Sequence, residues 1–531
     1  MKAHIVGGGF AGLAAAALLI RDIKTPGSDI TIYEADDKLG GGFFLDGDAE
    51  HGYNVPGSIF DKEFRCALNL LETITTQRYP RINVAEEFLT FNREHPFDDL
   101  THIVDRNLNR VHDPLRYGLT LGDGLKLAKL SLTSEASLDG QLIRDWFPQR
   151  FFDTEFWLLW STLMGSLPQH TIIEFRRYLN RFVYLFPDLS TMAHVFRSQF
   201  NQHEAFVEPL VVWLTKNGVN FERGAFVSDL DFTNTSGRMT VNRLHVQRAN
   251  GPPTVTVTVA PDDIVLVTTG SQAADLRAGT MDAAPPPKPP HPGRSWALWK
   301  TLAAKHKGFG DPSVFFGDDK ILDSRWVTFT VTTKRQEFLD EIINLTGSGT
   351  GSGGLLTLRD SPWVISLSIF EQPEILDQPP GTYVWWGYGL HPENKGTLDQ
   401  KPMNECTGKE ILREILYHLG MKQGKPTTET IVSSSICIPC DMPYVNNIWL
   451  KRKRGDRPPV VPEGMTNLGL LGQYVEVERD ITFTFEYSTR TAFEAIRQLK
   501  GGPPPPPVYR GQCDPGGVWK ATKVFLGLTK T

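Results

Sequence analysis

An α/β architecture is predicted for this 531-residue chain on three observations. First, Met1-Lys-Ala-His-Ile-Val runs as a short apolar strand into Gly7-x-Gly9-x-x-Gly12 and then an alanine-rich helix. That order of strand, glycine turn and helix suits a dinucleotide. Gly7 permits a tight turn, Gly9 lets backbone N–H groups approach a pyrophosphate, and Gly12 lets helix and strand pack closely. Second, the strand Asp29-Ile-Thr-Ile-Tyr-Glu34 ends in an acid about 20 residues past the turn, where a ribose hydroxyl is expected. Third, Asp263-Ile-Val-Leu-Val-Thr-Thr-Gly270-Ser271 and Asn467-Leu-Gly-Leu-Leu-Gly472 each read as a strand that runs into a small-residue turn. The chain therefore leaves a Rossmann-type domain and comes back to it.

The elements follow in order. Gly40, Gly41 and Gly42, then Phe43-Phe-Leu-Asp46-Gly47, predict a second backbone-lined loop near the same ligand. Residues 63–74 and 119–132 show helical spacing. Residues 146–160 and 171–182 are rich in aromatics and read as helices with large apolar faces. Residues 207–217 predict a helix with Pro209 in its first turn. Residues 218–221, 239–246 and 254–259 alternate with period two and predict strands. Ala284-Pro-Pro-Pro-Lys-Pro-Pro-His-Pro is too proline-rich for regular structure, and residues 347–354 form a flexible glycine–serine loop by composition. After Gly472 come Gln473-Tyr-Val-Glu476, Arg479-Asp480 and a helix through Glu486, an arrangement suited to the far end of a flavin. Residues 501–507, two glycines and five prolines, are expected to space a final helical piece away from the body. The predicted division is a flavin domain from residues 1–60, 205–290 and 440–500, a mixed α+β substrate domain from 61–204 and 291–439, and a small helical C-terminal segment, 501–531.

Composition narrows the function classes. With 40% hydrophobic and 22% charged residues the chain is an ordinary globular protein. A net charge of −6 supplies no basic face for nucleic acid. Five scattered cysteines and no leader-like N-terminus fit a reducing, cytoplasmic setting. No apolar run approaches the ~20 residues of a membrane span. Cys437-Ile-Pro-Cys440 has redox or metal spacing, but without a second pair or a nearby histidine the expectation is two small loop residues and no metal.

Taken together these pieces resemble the oleate hydratases, also called myosin-cross-reactive antigens. The resemblance rests on the N-terminal glycine turn, Leu45-Asp46-Gly47, Gly52-Tyr53, Glu174-Phe-Arg-Arg-Tyr178-Leu-x-Arg-Phe and Asn201-Gln202. It continues through Lys401-Pro-Met-x-Glu-Cys-Thr-Gly408, Arg454-Gly-Asp-Arg-Pro, Gly472-Gln-Tyr-Val-Glu476 and Val508-Tyr-Arg-Gly-Gln. It implies a flavoprotein without net redox chemistry, in which FAD binds and water adds across the cis double bond of an unsaturated fatty acid. It also implies homodimers and peripheral membrane contact. The FAD site would draw on Gly7, Gly9, Gly12, Glu34, Gly41, Gly42, Gly270, Gly472 and Glu476. Tyr178 matches the family's proton-donating tyrosine and Gln202 a substrate-pocket glutamine.

Two segments depart from the family pattern. Where the family's catalytic loop carries Arg-Glu, this chain has Gly57-Ser58-Ile59-Phe60-Asp61, so Phe60 stands in place of the water-activating glutamate. Asp61 or Glu63 could replace it, or Asp61 could simply cap a following helix, residues 62–74. Where the family places Thr, Asn and His around a Gln-Pro pair, this chain has Ser368, Phe370 and Glu374, and an ionised Glu374 would repel a carboxylate headgroup. The leading expectation is an FAD-dependent hydro-lyase with Tyr178 and Asp61 as catalytic groups and Phe60, Gln202, Ser368, Phe370 and Glu374 lining the substrate. Three alternatives stay open: a member acting on a neutral polyene, a flavin oxidoreductase, and a non-catalytic FAD-binding protein.

Overall fold

A computed structural model describes residues 1–57, 59–96, 102–113, 115–248, 254–351, 355–421 and 423–528. Two sheets organise it. The first is five-stranded and parallel, in the order Leu468–Leu471, Ile264–Thr268, Ala3–Val6, Ile30–Tyr33, Asn220–Glu222. Its inner strands are almost wholly apolar because the sheet is covered on both faces. Helices Phe10–Leu18 and Phe485–Lys500 pack against each other on it, and every residue of the first is buried. The Ala14–Ala17 run permits that close approach. A three-stranded antiparallel meander, Ala225–Thr235, Arg238–Arg248 and Val255–Thr258, adjoins this sheet.

The second sheet has seven strands, in the order Arg277–Ala278, Ser435–Met442, Trp326–Thr333, Tyr383–Gly389, Ile365–Ser368, Leu356–Leu358, His102–Val104. The segment after Asp46 forms a hairpin, Asp46–Asp48 with Gly52–Asn54, that docks on this sheet. Tyr53 and Val55 donate their N–H groups to the hydroxyls of Thr332 (2.9 Å) and Thr330 (3.1 Å). Between the sheets lies an aromatic core that includes helices Glu155–Met164 and Ile172–Arg181.

Three local expectations are corrected. Cys437 and Cys440 are not loop residues but lie inside the strand Ser435–Met442. Residues three apart on a strand face opposite ways, and the two thiols sit in different cores on either side of the sheet. Pro439 gives this stretch its loop-like look; it is tolerated because only a two-residue strand lies outside it. Second, Asp61 does not cap a helix: the helix runs Arg65–Leu71 behind Phe64, and the Asp61 carboxylate caps only the turn, accepting from the Glu63 N–H (2.9 Å). Third, the C-terminal segment is not held apart. The Arg490 guanidinium grips the Pro506 carbonyl, Tyr509 lies under the Arg181 guanidinium (5.1 Å to the ring centre), and helix Pro515–Phe525 packs on residues 183–188. Of the glycine–serine loop, residues 352–354 lie outside the described residues, as does Ser58, whereas Gly351 is packed against Glu371.

Candidate functional site

The glycines divide by what a side chain would meet. A Cβ on Gly7 (φ +100°) would lie 2.0 Å from the Thr268 hydroxyl, one on Gly12 2.1 Å from the Gly7 carbonyl, and one on Gly270 2.6 Å from the Trp296 ring. These three serve packing. A Cβ on Gly9 would find nothing nearer than Gly41 Cα at 3.8 Å, one on Gly42 only Ala273 at 3.9 Å, and one on Gly472 nothing within 4 Å. These line a gap. Gly9 also bridges to Gly40, which brings Gly41 beside the first turn. Helix Phe10–Leu18 opens onto this gap with no side-chain cap and no acid in its first turn, so its N–H groups and positive end face a ligand position. Glu34 stands beside it, accepting from the Gly8 N–H (2.7 Å) and the Asp36 N–H (2.9 Å), and burial raises its carboxyl against the pull of those bonds. A backbone cradle with an acid at one end is a donor set that fits a dinucleotide.

At the other end of the gap, residues 472–484 leave the first sheet and are held by one face of helix Ile172–Arg181. Tyr178 donates its hydroxyl to the Thr482 carbonyl. Arg177 bonds the Glu476 carboxylate (2.7 Å) and the carbonyls of Val477 and Asp480. Glu174 takes the Thr482 hydroxyl (3.4 Å) and pairs with Arg452 (2.5 Å) and Arg457 (3.0 Å). Glu174 is fully buried, which pushes its carboxyl up, but Arg457, Arg452 and Arg177 more than offset burial and hold it at about 2. For Tyr178, burial and then Glu174 push the phenol well above its usual range. Glu476 is thus engaged by Arg177 and lies within 3.4 Å of Arg452, part of the clamp on this loop.

Tyr178 and Trp449 face a narrow crevice also lined by Ile143, Ser166, His170 and Glu174. His170 is committed through both ring nitrogens, to the Leu167 N–H and the Asp323 carbonyl, and burial lowers it to about 4, so it is neutral. From Tyr178 a run of rings continues through the interior: Trp449 (5.4 Å), Phe483 (5.4 Å), Trp326 (6.5 Å), Tyr388 (4.3 Å) and Trp386 (5.3 Å). Among the described residues no group of three or more His, Cys, Asp or Glu could hold a metal.

The sequence profile of the MCRA family matches residues 1–496. The chain belongs to the MCRA family. It is 33% identical over 512 residues to an oleate hydratase of Streptococcus pyogenes serotype M49 (strain NZ131), covering 94% of this chain and 85% of that one. It is 29% identical over 563 residues to a linoleate hydratase of Lactiplantibacillus plantarum, covering 98% of both. In fold it is similar to a cyclohexylamine oxidase of Brevibacterium oxydans IH-35A (TM-score 0.52, 11% identity, 94% and 98% covered) and to an engineered putrescine oxidase (TM-score 0.51, 12% identity, 93% and 98% covered).

In this MCRA member the departing residues fall into two places. Phe60 is packed edge-on among Phe206 (5.1 Å), Phe485 (5.1 Å), Phe88 (5.6 Å) and Phe64 (6.5 Å), an apolar cluster at the start of helix Phe485–Lys500. Asp61 is buried beside it and paired with Arg181 (3.3 Å). Gln202 is buried with its side-chain oxygen unbonded among the described residues, and its neighbour Asn201 donates to the Glu374 carbonyl (3.0 Å). Ser368 pairs with Trp386 across the second sheet, and Phe370 packs on the same cluster. Gln202 and the stretch 368–374 therefore come from two segments: Asn201 joins the first to Glu374, and Trp386 lies beside Ser368 in the cluster on which Phe370 packs. Burial, then Glu204 and Glu371, raise the Glu374 carboxyl well above its usual range. Burial thus favours its uncharged form, which weakens the like-charge repulsion expected from its identity. Sequence reasoning missed Glu174, Arg177, Arg452, Arg457, Trp449 and Phe483 as a site. Glu174 and Arg177 lie one helical turn apart inside the quoted Glu-Phe-Arg-Arg-Tyr motif, and that spacing was the available signal.

Proposed function

We propose that the chain is an FAD-binding hydro-lyase that adds water across a cis double bond of an unsaturated fatty acid or related lipid, without net redox change. The observation that carries this reading is the hydroxyl of Tyr178, buried at a narrow crevice and bonded to the loop that returns from the glycine cradle. Proton donor and cofactor loop are thereby one unit. Gly9, Gly41, Gly42 and Gly472 would pass closest to the FAD, Glu34 would take a ribose hydroxyl, and Gly7, Gly12 and Gly270 would shape the walls. The flavin, when bound and reduced, would supply negative charge to the site. Tyr178 keeps its proton across the working pH range because burial raises its pKa. It therefore acts as an acid only toward a carbon whose developing charge is stabilised. Asp61 serves here to hold Arg181 and the Gly57 loop against the Tyr178 helix. Gln202, Ser368, Phe370 and Glu374 would line the lipid, with Glu374 in its uncharged form donating to its polar end.

The test is direct. Full-length protein loaded with FAD and reductant, incubated with oleate or linoleate, should yield a hydroxy acid heavier by one water. Stoichiometric flavin reduction with loss of substrate hydrogen would refute hydration in favour of oxidation.

A peripheral membrane contact belongs to the same reading. Leu121, Leu125 and Leu132 share one exposed face of helix Leu121–Leu132, and Trp519, Leu526 and Leu528 lie exposed on and just past the neighbouring C-terminal helix. The two helices meet at Gly124, where a Cβ would lie 3.3 Å from Phe525, and Lys126, Lys129, Lys520 and Lys523 accompany the patch. Leu125→Asp with Trp519→Asp should abolish sedimentation with phosphatidylglycerol vesicles; unchanged binding would refute this face. A homodimer and a cytoplasmic setting complete the proposal, the former tested by sedimentation equilibrium.

A further inference from the structure

A tyrosine that protonates an alkene leaves a carbocation, and something beside it must be electron-rich. The charges near Tyr178 are already closed. Glu174 is neutralised by Arg452 and Arg457, Asp480 by Arg490 (2.7 Å), and Glu476 by Arg177 (2.7 Å). His170 is neutral and committed. The rings that touch Tyr178 are Trp449, nearly perpendicular to it with centres 5.4 Å apart, and Phe182 at 5.9 Å; Phe483 lies behind Trp449, their ring centres 5.4 Å apart.

One feature marks this pair as more than filling. Phe483 sits at φ +65°, a left-handed backbone that an aromatic residue rarely adopts, and it is held there by its N–H to the Gln473 side chain (2.6 Å). Its neighbour Thr482 is the residue whose carbonyl receives the Tyr178 proton donor.

We propose that Trp449, backed by Phe483, is a catalytic residue that stabilises the carbocation of the hydration step through its π face. The inference rests on the hydratase reading above. In the step, the alkene π pair takes the Tyr178 proton and forms a C–H bond, leaving the other carbon cationic beside the indole and Tyr178 as phenolate. A water lone pair then forms the C–O bond, and the surplus proton of that water returns to the phenolate. Alkene and water give the alcohol, and Tyr178 is restored. No free carboxylate is needed, which accommodates a chain in which Phe60 replaces the family's glutamate.

The experiment replaces Trp449 in the full-length, FAD-loaded protein by 5-fluoro-, 5,6-difluoro- and 5,6,7-trifluorotryptophan, which change little in size but progressively empty the ring face. With oleate as substrate, kcat should fall in steps to roughly 3- to 30-fold across the series, the range expected of a cation–π contact. KM and flavin absorbance should stay unchanged. Trp449→Phe should retain more kcat than Trp449→Leu. A flat fluorine series in an enzyme that still hydrates oleate would overturn the role of Trp449 and leave the function intact. Failure of the unsubstituted holoenzyme to hydrate either oleate or linoleate would overturn both.

Discussion

Replacing Glu174 by glutamine should destabilise the protein near neutral pH and do so progressively less in acid. The side chain is fully buried between Arg452 and Arg457, and its carboxyl is held at about 2 rather than the ordinary 4.5. At about 1.4 kcal/mol per tenfold, that gap corresponds to about 3 kcal/mol of folding stability. An independent estimate agrees: removing one partner of a buried ion pair leaves the other uncompensated, at roughly 3–5 kcal/mol. The sign follows from linkage. A depressed carboxyl contributes above its unfolded value of 4.5, and the contribution is lost as pH falls from there toward about 2. Glu374 and Glu34 titrate with the opposite sign because burial raises them, but they are common to both proteins and cancel in the difference. Urea denaturation of wild type and Glu174→Gln, at constant ionic strength from pH 7 to pH 3, should show a gap of about 3 kcal/mol at neutrality that narrows below pH 4.5. A gap that stays constant across the range would refute the idea that charge in this cluster, rather than side-chain shape, holds residues 472–484 against the Tyr178 helix.

Other substitutions follow from the same geometry. Tyr178→Phe removes the hydroxyl donated to Thr482 and should abolish hydration while leaving flavin absorbance intact; full turnover would remove Tyr178 from the reaction. Gly9→Val and Gly12→Val should separate ligand binding from folding: the first side chain enters open space and should block FAD uptake in a protein of near-normal melting temperature, whereas the second meets the Gly7 carbonyl and should lower that temperature whether or not FAD is present. Phe60→Glu, which restores the family residue, should destabilise by about 3 kcal/mol or more and not raise kcat, because the carboxyl would be buried among four phenylalanine rings. Asp61→Asn should cost about 3 kcal/mol by leaving Arg181 unpaired, yet hold kcat within a few-fold; complete loss of turnover in a folded variant would make Asp61 the base after all.

The parts legible in sequence were those where a local rule operates. Strand, glycine turn and helix are neighbours in the chain, so Gly7, Gly9 and Gly12 announce the first turn, and the apolar strands at 264–268 and 468–471 announce the return. What spacing could not tell was which glycines a ligand needs: Gly270 and Gly472 look alike in sequence, but Trp296 stands over one and nothing over the other. Cys437 and Cys440 misled for the converse reason, since Pro439 carries a loop signal that the sheet's edge-like environment overrides. Glu374 misled because a carboxylate's charge is a property of its surroundings. Burial first, then Glu204 from a distant segment and Glu371 three residues away, raise its carboxyl.

The charge ledger of the site also explains how this member can dispense with the family's catalytic-loop pair. With Ile59 and Phe60 in those positions, the packing near the start of helix Phe485–Lys500 is phenyl rings, and the adjoining Asp61 is tied to Arg181. A general base placed there would need a partner to stay charged in so dry a cluster. The arrangement found instead ties the buried charges around Tyr178, those of Glu174, Glu476 and Asp480, into pairs with Arg452, Arg457, Arg177 and Arg490 that fix the loop. Such a site is poor at activating water before protonation and better suited to protonating first and capturing the cation afterwards. The rate of this member should therefore respond to the electron density of its aromatic wall more than to the loss of any single carboxylate.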